Sequence, residues 1–312
     1  MLKYLVILLD DTSTSFCHYD NRKTKPRLMP IETLRDGIRF GMMENLMIQF
    51  VYPTFSLPLE HLKAIELIDH GVIAPSGSPV NADVVVFNDW DSFLKFGYSG
   101  VGTFVLRTDL KQLCEKQKRL ESILYQLTRL NIVLTDIETM NDDDLEEYNK
   151  FLDELRAIMK RLYLKGYKTQ CNLILDRIVL DSMNNCNAGT ESITLAPNGK
   201  FYICPGFYYD GIDDIGSLKD GLDIKNSQLY RLDHAPLCRI CDAYHCKRCI
   251  WLNQKTTMEV NTPSHEQCVV AHLERNQARI LLKELQDRGI YDKKHEIKEI
   301  SYLDPFDVRE QW

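Results

Sequence analysis

The sequence predicts an α/β protein, a parallel sheet with helical crossovers that gives way to a loop-rich, cysteine-dense region. Three observations predict this. Short apolar runs alternate with helical patterns over the first 180 residues, a hairpin signal surrounds Gly199, and eight of the ten cysteines fall between Cys171 and Cys268. Strands joined by helical crossovers imply a parallel sheet, either open or closed into a complete or partial barrel, and periodicity alone does not choose between them.

Tyr4 to Leu9 is a fully apolar run of the kind a buried parallel strand shows, followed by the polar loop Asp10 to Lys25. A helical stretch runs from Ile31 to Met43, and Met47 to Val51 is a strand closed by Tyr52-Pro53. The cycle repeats with a helix over Pro58 to Ile68 and strands at Val72-Ile73 and Asp83 to Phe87, the last following the Pro75-Ser76-Gly77 turn. Thr103 to Leu106 is a strand, and Asp109 is placed to cap a helix that carries Leu113, Leu120, Leu124 and Leu127 on one face. Ile132 to Leu134 precedes a long helix with Leu145, Tyr148, Leu152, Leu155, Met159 and Leu162 at helical spacing, stopped by Gly166. Cys171 to Leu175 reads as the last strand of this part.

The pattern changes near Asp181. Ile193-Thr194-Leu195 and Phe201-Tyr202-Ile203 flank Ala196-Pro197-Asn198-Gly199-Lys200, a hairpin in which Gly199 is free to take positive φ. The chain is then loop-rich to Thr262, and a final helix from Cys268 to Arg288 presents Leu273, Ile280, Leu281 and Leu285 as an apolar stripe. We divide the sequence into 1–180, 181–270, and a helix and tail over 271–312, the tail from Tyr291 being weakly patterned.

The totals of 38 Lys+Arg against 45 Asp+Glu give a net charge of −7, which argues against a phosphate-tracking nucleic-acid binder. The run Tyr4 to Leu9 is far short of the roughly 20 residues a membrane span needs and lacks a signal-peptide cleavage site. We therefore read a cytoplasmic protein without nucleic-acid or membrane partners. Dinucleotide, phosphate-loop and H-E-x-x-H motifs are missing from the sequence. A reducing compartment disfavours structural disulfides, so the cysteines point to metal or redox chemistry.

The densest run is Cys238-x2-Cys241-x4-Cys246-x2-Cys249. Structural zinc sites place their two cysteine pairs on the order of 12–20 residues apart, and a four-residue spacer strains that geometry. Iron–sulfur clusters accept tighter runs and divide them between two clusters, so spacing favours iron–sulfur and keeps zinc as the alternative.

Cys186-x12-Gly199-x4-Cys204 precedes the run, and Cys268 follows nineteen residues after Cys249. This order resembles the SPASM domain, the auxiliary cluster domain of radical SAM peptide and protein maturases, although that family usually has x5 and x3 where this chain has x4 and x2. The resemblance implies a partial (β/α) barrel of radical SAM type and two [4Fe-4S] clusters. One would sit on Cys238, Cys241, Cys246 and Cys268. The other would take Cys186, Cys204 and Cys249, with a fourth ligand supplied elsewhere, Cys171 or a nearby histidine being candidates, or its iron left open.

A radical SAM enzyme needs C-x3-C-x2-C after its first strand, and this chain reads Asp10-x3-Thr14-x2-Cys17 there. The segment Tyr52-Pro53-Thr54-Phe55 likewise replaces the Gly-Gly-Glu-like turn of that family. The implied barrel is therefore degenerate, without S-adenosylmethionine cleavage, and Cys17 reads as the remnant of a lost motif. Within this lineage, Ile193 to Gly199 and Trp251-Leu252-Asn253 make the chain similar to the CXXX repeat peptide maturase family. That resemblance implies maturation of a ribosomally made cysteine-rich peptide, with no catalytic residue assigned. The alternatives are a non-catalytic partner that passes electrons or presents the peptide to another maturase, and a zinc-stabilised structural module.

Other groups have plainer readings. His245, His265 and His272 near the cysteines support ligands or lie at the surface, Asp142 to Glu147 is the acidic first turn of a helix, and Tyr208, Tyr209 and Trp251 pack loops. Cys114 reads as packing.

Overall fold

The computed structural model describes residues 2–98 and 102–297. Nine strands form one sheet in the order β7-β6-β5-β4-β3-β2-β1-β8-β9. These are β1 (Tyr4–Leu8), β2 (Met47–Val51), β3 (Gly71–Pro75), β4 (Val84–Phe87), β5 (Thr103–Thr108), β6 (Arg129–Leu134), β7 (Gln170–Cys171), β8 (Ser192–Leu195) and β9 (Phe201–Tyr202). All neighbours are parallel except β8 and β9, which form the expected hairpin with Gly199 at φ 76°. Strands β1 to β7 lie in sequential order, and β8 and β9 extend the sheet on the other side of β1.

The crossover helices are α1 (Ile31–Met43), α2 (Leu59–Ile65), α3 (Trp90–Lys95), α4 (Leu110–Leu124) and α5 (Asp142–Leu164). Asp109 caps α4 by accepting from Gln112 N at 2.8 Å. Asn141 and Asp144 form a capping box on α5, whose first turn carries Asp142, Asp143 and Asp144, so the acidic stretch serves the helix dipole. The leucines and Tyr148 expected on the inner face of α5 are buried. Helix α3 was not expected; Asp89 caps it through Ser92 N at 2.7 Å, and at six residues it is too short to show a period.

The strand expected over Cys171 to Leu175 shrinks to Gln170–Cys171, and Leu175–Val179 is a helix, α6. The cause is Asn172. Its side chain accepts from Ile132 N at 2.8 Å and donates to Ile132 O at 3.0 Å, replacing the backbone of a longer strand. Helix α6 is then held by a fork from Arg129 to Asp176, at 3.0 and 2.8 Å.

The region read as loops also holds α7 (Pro205–Tyr209) and α8 (Ile250–Thr257), and the last helix is α9 (His265–Gln286). Helix α9 buries Leu273, Leu281 and Leu285 of its expected stripe and packs along α5. The end of the tail, 298–312, lies outside the described residues. Among the described residues no helix is long and apolar enough to cross a membrane.

Asn172→Ala strands two buried backbone groups and should lower the unfolding free energy by about 1–3 kcal/mol. Leu152→Ala, a cavity in the α5 core, should cost roughly 2–5 kcal/mol. Denaturant titration reads both; an Asn172→Ala loss indistinguishable from zero would show that the side chain is not completing the sheet.

Candidate functional site: a locked loop beside two groups of thiols

The loop after β1 crosses the carboxyl ends of several strands. Ser13 Oγ donates to Val51 O of β2 at 2.8 Å, Thr14 N donates to Tyr52 O at 3.1 Å, and His18 Nδ1 lies 2.8 Å from Leu134 O of β6. Asp10 and Thr14, standing where thiols would be required, are absorbed into this network. Asp10 Oδ1 accepts from Thr12 N at 2.7 Å, and Thr14 Oγ1 accepts from Asn88 Nδ2 at 3.2 Å. Burial lowers the pKa of His18.

Arg107, near the end of β5 and 8% exposed, fastens the loop. Its Nε donates to Cys17 O at 2.8 Å, Nη1 to Asn88 Oδ1 at 2.8 Å, and Nη2 to Tyr19 O at 2.7 Å and Asp20 Oδ1 at 2.6 Å. Four of the five guanidinium donors that the side chain owns are thus spent on one loop and its neighbour. Sequence reasoning missed Arg107, although an arginine directly after the apolar run Thr103 to Leu106 was a visible signal.

The loop also meets α7 and α8. Tyr208 donates to Asp11, Tyr209 donates to Ser13 O at 3.3 Å, and Tyr19 packs between Tyr209 and Trp251 at centroid distances of 5.6 and 6.5 Å. Lys23 Nζ lies 3.7 Å from the Tyr208 ring centroid. Tyr208, Tyr209 and Trp251 thus pack loops, as expected, with Trp251 Nε1 donating to Asp210 at 2.7 Å.

The predicted cysteines fall around two supports. Cys204 and Cys249 are the N-caps of α7 and α8. Cys186 reaches the second of these through its N–H, which donates to Lys247 O at 3.1 Å. Burial raises the pKa of Cys204 and Cys249, with Cys186 among the neighbours that add to it; N–H groups of Phe207 and Gly206 on the Cys204 sulfur, and of Leu252 on that of Cys249, work the other way. Cys17 is pushed up to about 12 by burial and the nearby Cys186, against the pull of Arg107 and Lys247.

The second group is tied to α9. Asp242 is gripped by Arg275 Nη1 at 2.9 Å and by Arg279, His245 Nε2 lies 2.9 Å from Glu274 Oε2, and Tyr148 of α5 donates to Glu274 Oε1 at 2.6 Å. Cys241 Sγ lies 3.7 Å from His272 Nε2, placing that thiol against the helix that carries Cys268. Cys241 and Cys246 sulfurs accept 3.4 Å bonds from Ala243 N and Arg248 N, and Cys246 is pushed up to about 12 by burial, with Cys238 adding to it. His245 and His272 are buried supports, and His265 opens α9. The charged residues of α9 that clamp this run, Glu274 and Arg275, were masked in the sequence by the apolar stripe around them.

Cys171 is a buried thiol of β7, at the opposite end of the strand order from the β8–β9 hairpin that Cys186 and Cys204 flank. Its sulfur takes the Leu173 N–H, and Asp176, Arg129 and Glu274 are its charged neighbours.

Among the described residues no three His, Cys, Asp or Glu side chains are arranged to hold a single metal ion. A cluster differs from an ion in presenting a separate iron to each ligand, so its thiolates surround it without meeting at one point. The donor set suits such a group: it is all thiol, it receives backbone N–H groups, and a buried cation stands beside it. That cation is Arg248, 2% exposed, which donates to Tyr230 O while its Nε and Nη1 have no protein partner.

Among solved structures, the chain is similar to hexahistidine-tagged anSMEcpe with bound AdoMet. The likeness has a TM-score of 0.62 at 13% identity and covers 91% of this chain and 98% of that one. The chain is also similar to Streptococcus suis SuiB bound to precursor peptide SuiA, with a TM-score of 0.47 at 10% identity over 74% of this chain and 64% of that one. No family model and no curated protein matches the sequence. The first likeness shows that the chain shares the fold of that AdoMet-bound protein.

Arg107→Lys removes the planar fork and keeps the charge. Amide exchange across 12–21 should rise by about tenfold or more, the equivalent of losing one charge-assisted hydrogen bond, while α5 amides stay unchanged. Exchange unchanged in both segments would show that Arg107 does not hold the loop.

Proposed function

We propose that the chain is an iron–sulfur protein that takes part in maturing a ribosomally made cysteine-rich peptide without cleaving S-adenosylmethionine. Two [4Fe-4S] clusters are assigned, one to Cys238, Cys241, Cys246 and Cys268 and one to Cys186, Cys204 and Cys249, in a SPASM-like region over 181–270. Residues 1–180 form the degenerate radical SAM-like part, and 271–312 complete the last helix and tail.

The observation that carries this reading is the pairing of N–H-supported thiols, those of Cys204, Cys241, Cys246 and Cys249, with a hydrogen-bonded β1 loop. Asp10 and Thr14 are hydrogen-bonded into the strand ends where radical chemistry would require two further thiolates. When bound, the clusters would supply one-electron transfer and soft iron sites suited to thiolates. The protein's own part is to hold the thiolates, exclude water and balance their charge with Arg248. The peptide substrate rests on the resemblance to the CXXX repeat peptide maturase family. A cytoplasmic setting, which keeps thiols reduced, is part of the same proposal.

The locked loop favours a second reading as well, a non-catalytic partner that passes electrons or presents the peptide to another maturase. Iron and zinc analysis of anaerobically reconstituted protein should find about eight irons per chain, four per cluster. Zinc alone would overturn the cluster assignment and leave a structural module. Incubation with a cysteine-repeat peptide and a reductant then separates the two remaining readings: a mass change identifies a maturase, and an unchanged peptide identifies the partner.

A further inference from the structure

We propose that Cys17 is the fourth ligand of the cluster assigned to Cys186, Cys204 and Cys249, so that the surviving thiol of the β1 loop serves the neighbouring site. The inference rests on the cluster reading above and supplies the ligand that reading leaves open.

Arg107 pins the loop on both sides of His18, through Cys17 O at 2.8 Å and Tyr19 O at 2.7 Å. Tyr19 then inserts between Tyr209 and Trp251, which belong to the helices capped by Cys204 and Cys249. Those helices abut so closely that a Cβ on Gly206 would come within 2.6 Å of Trp251 Cδ1. Cys17, two residues before Tyr19, is thus carried to the junction of α7 and α8.

The electrostatics agree with this placement. Cys17 is a titratable neighbour of both Cys204 and Cys249, and Cys186 is a neighbour of all three. Four thiols are therefore neighbours, three of them partly buried and Cys186 exposed, with the unpartnered donors of Arg248 next in sequence to Cys249. Fourfold thiolate ligation leaves no open iron, so this cluster would carry electrons and would not bind a substrate thiolate.

The test uses the full chain, reconstituted anaerobically as wild type, Cys17→Ala, Cys17→Ser and Cys171→Ala. Wild type and Cys171→Ala should hold about eight irons. Cys17→Ala should either fall to about seven irons and show the electron paramagnetic resonance signal of a three-iron cluster on mild oxidation, or fall to about four by losing that cluster whole, with the second cluster's signal as an internal control of folding. Cys17→Ser should give a shifted spectrum. Thiol alkylation read by mass spectrometry provides a variant-free check, since Cys17 should be protected together with Cys186, Cys204 and Cys249 and released with them when iron is stripped. Iron-loaded wild type with an unaltered Cys17→Ala spectrum, or Cys17 alkylated equally with and without iron, would overturn the inference alone. Wild type that takes up no iron would overturn the cluster reading itself.

Discussion

A buried guanidinium organises the face of the sheet on which the rest depends. Arg107 carries a charge that must be compensated, and the compensation comes from two loop carbonyls, one carboxylate and one amide, all fixed by the planar geometry of the fork. Satisfying those donors sets the path of the loop after β1. That path brings Tyr19 against α7 and α8, and it uses Asp10 and Thr14 as structural hydrogen-bonding groups.

Helix α9 does the corresponding work for the cysteine run. The run from Cys238 to Cys249 has little regular structure, so its backbone is held by side chains: Asp242 in two arginines, His245 against Glu274, Cys241 against His272. Because Glu274 also accepts from Tyr148, the clamp extends into α5 and the main body. Buried ionic groups of this kind are costly to desolvate unless each has its partner, which explains why the partners come as an interlocked set on one helix.

Buried thiols with raised pKa values are poor nucleophiles. Cys17 and Cys246 are pushed up to about 12, and burial raises Cys204 and Cys249 as well. Free thiols so placed are chemically quiet. The same burial suits metal-bound thiolates, whose charge the metal offsets and whose ligation releases the proton. The backbone N–H groups aimed at these sulfurs favour the deprotonated form, and this combination is what the proposed clusters would use.

Much of the parallel sheet was legible locally, because strands such as β1 and β4 are continuous apolar runs and α4 and α5 carry period and cap in their own residues. The hairpin was legible through Gly199, and the grouping of seven cysteines is proposed from their order and spacing. Short helices were not, since five or six residues of α3, α6 or α7 contain no period, and the shortening of β7 depended on Asn172 finding Ile132 forty residues away. The sequence by itself determined which residues could bury, cap, turn and ligate, since those properties travel with the side chain. Tertiary structure decided strand order, the anchoring of the β1 loop by Arg107 and the company that Cys17 keeps, because each depends on contacts between residues that only the folded chain brings together.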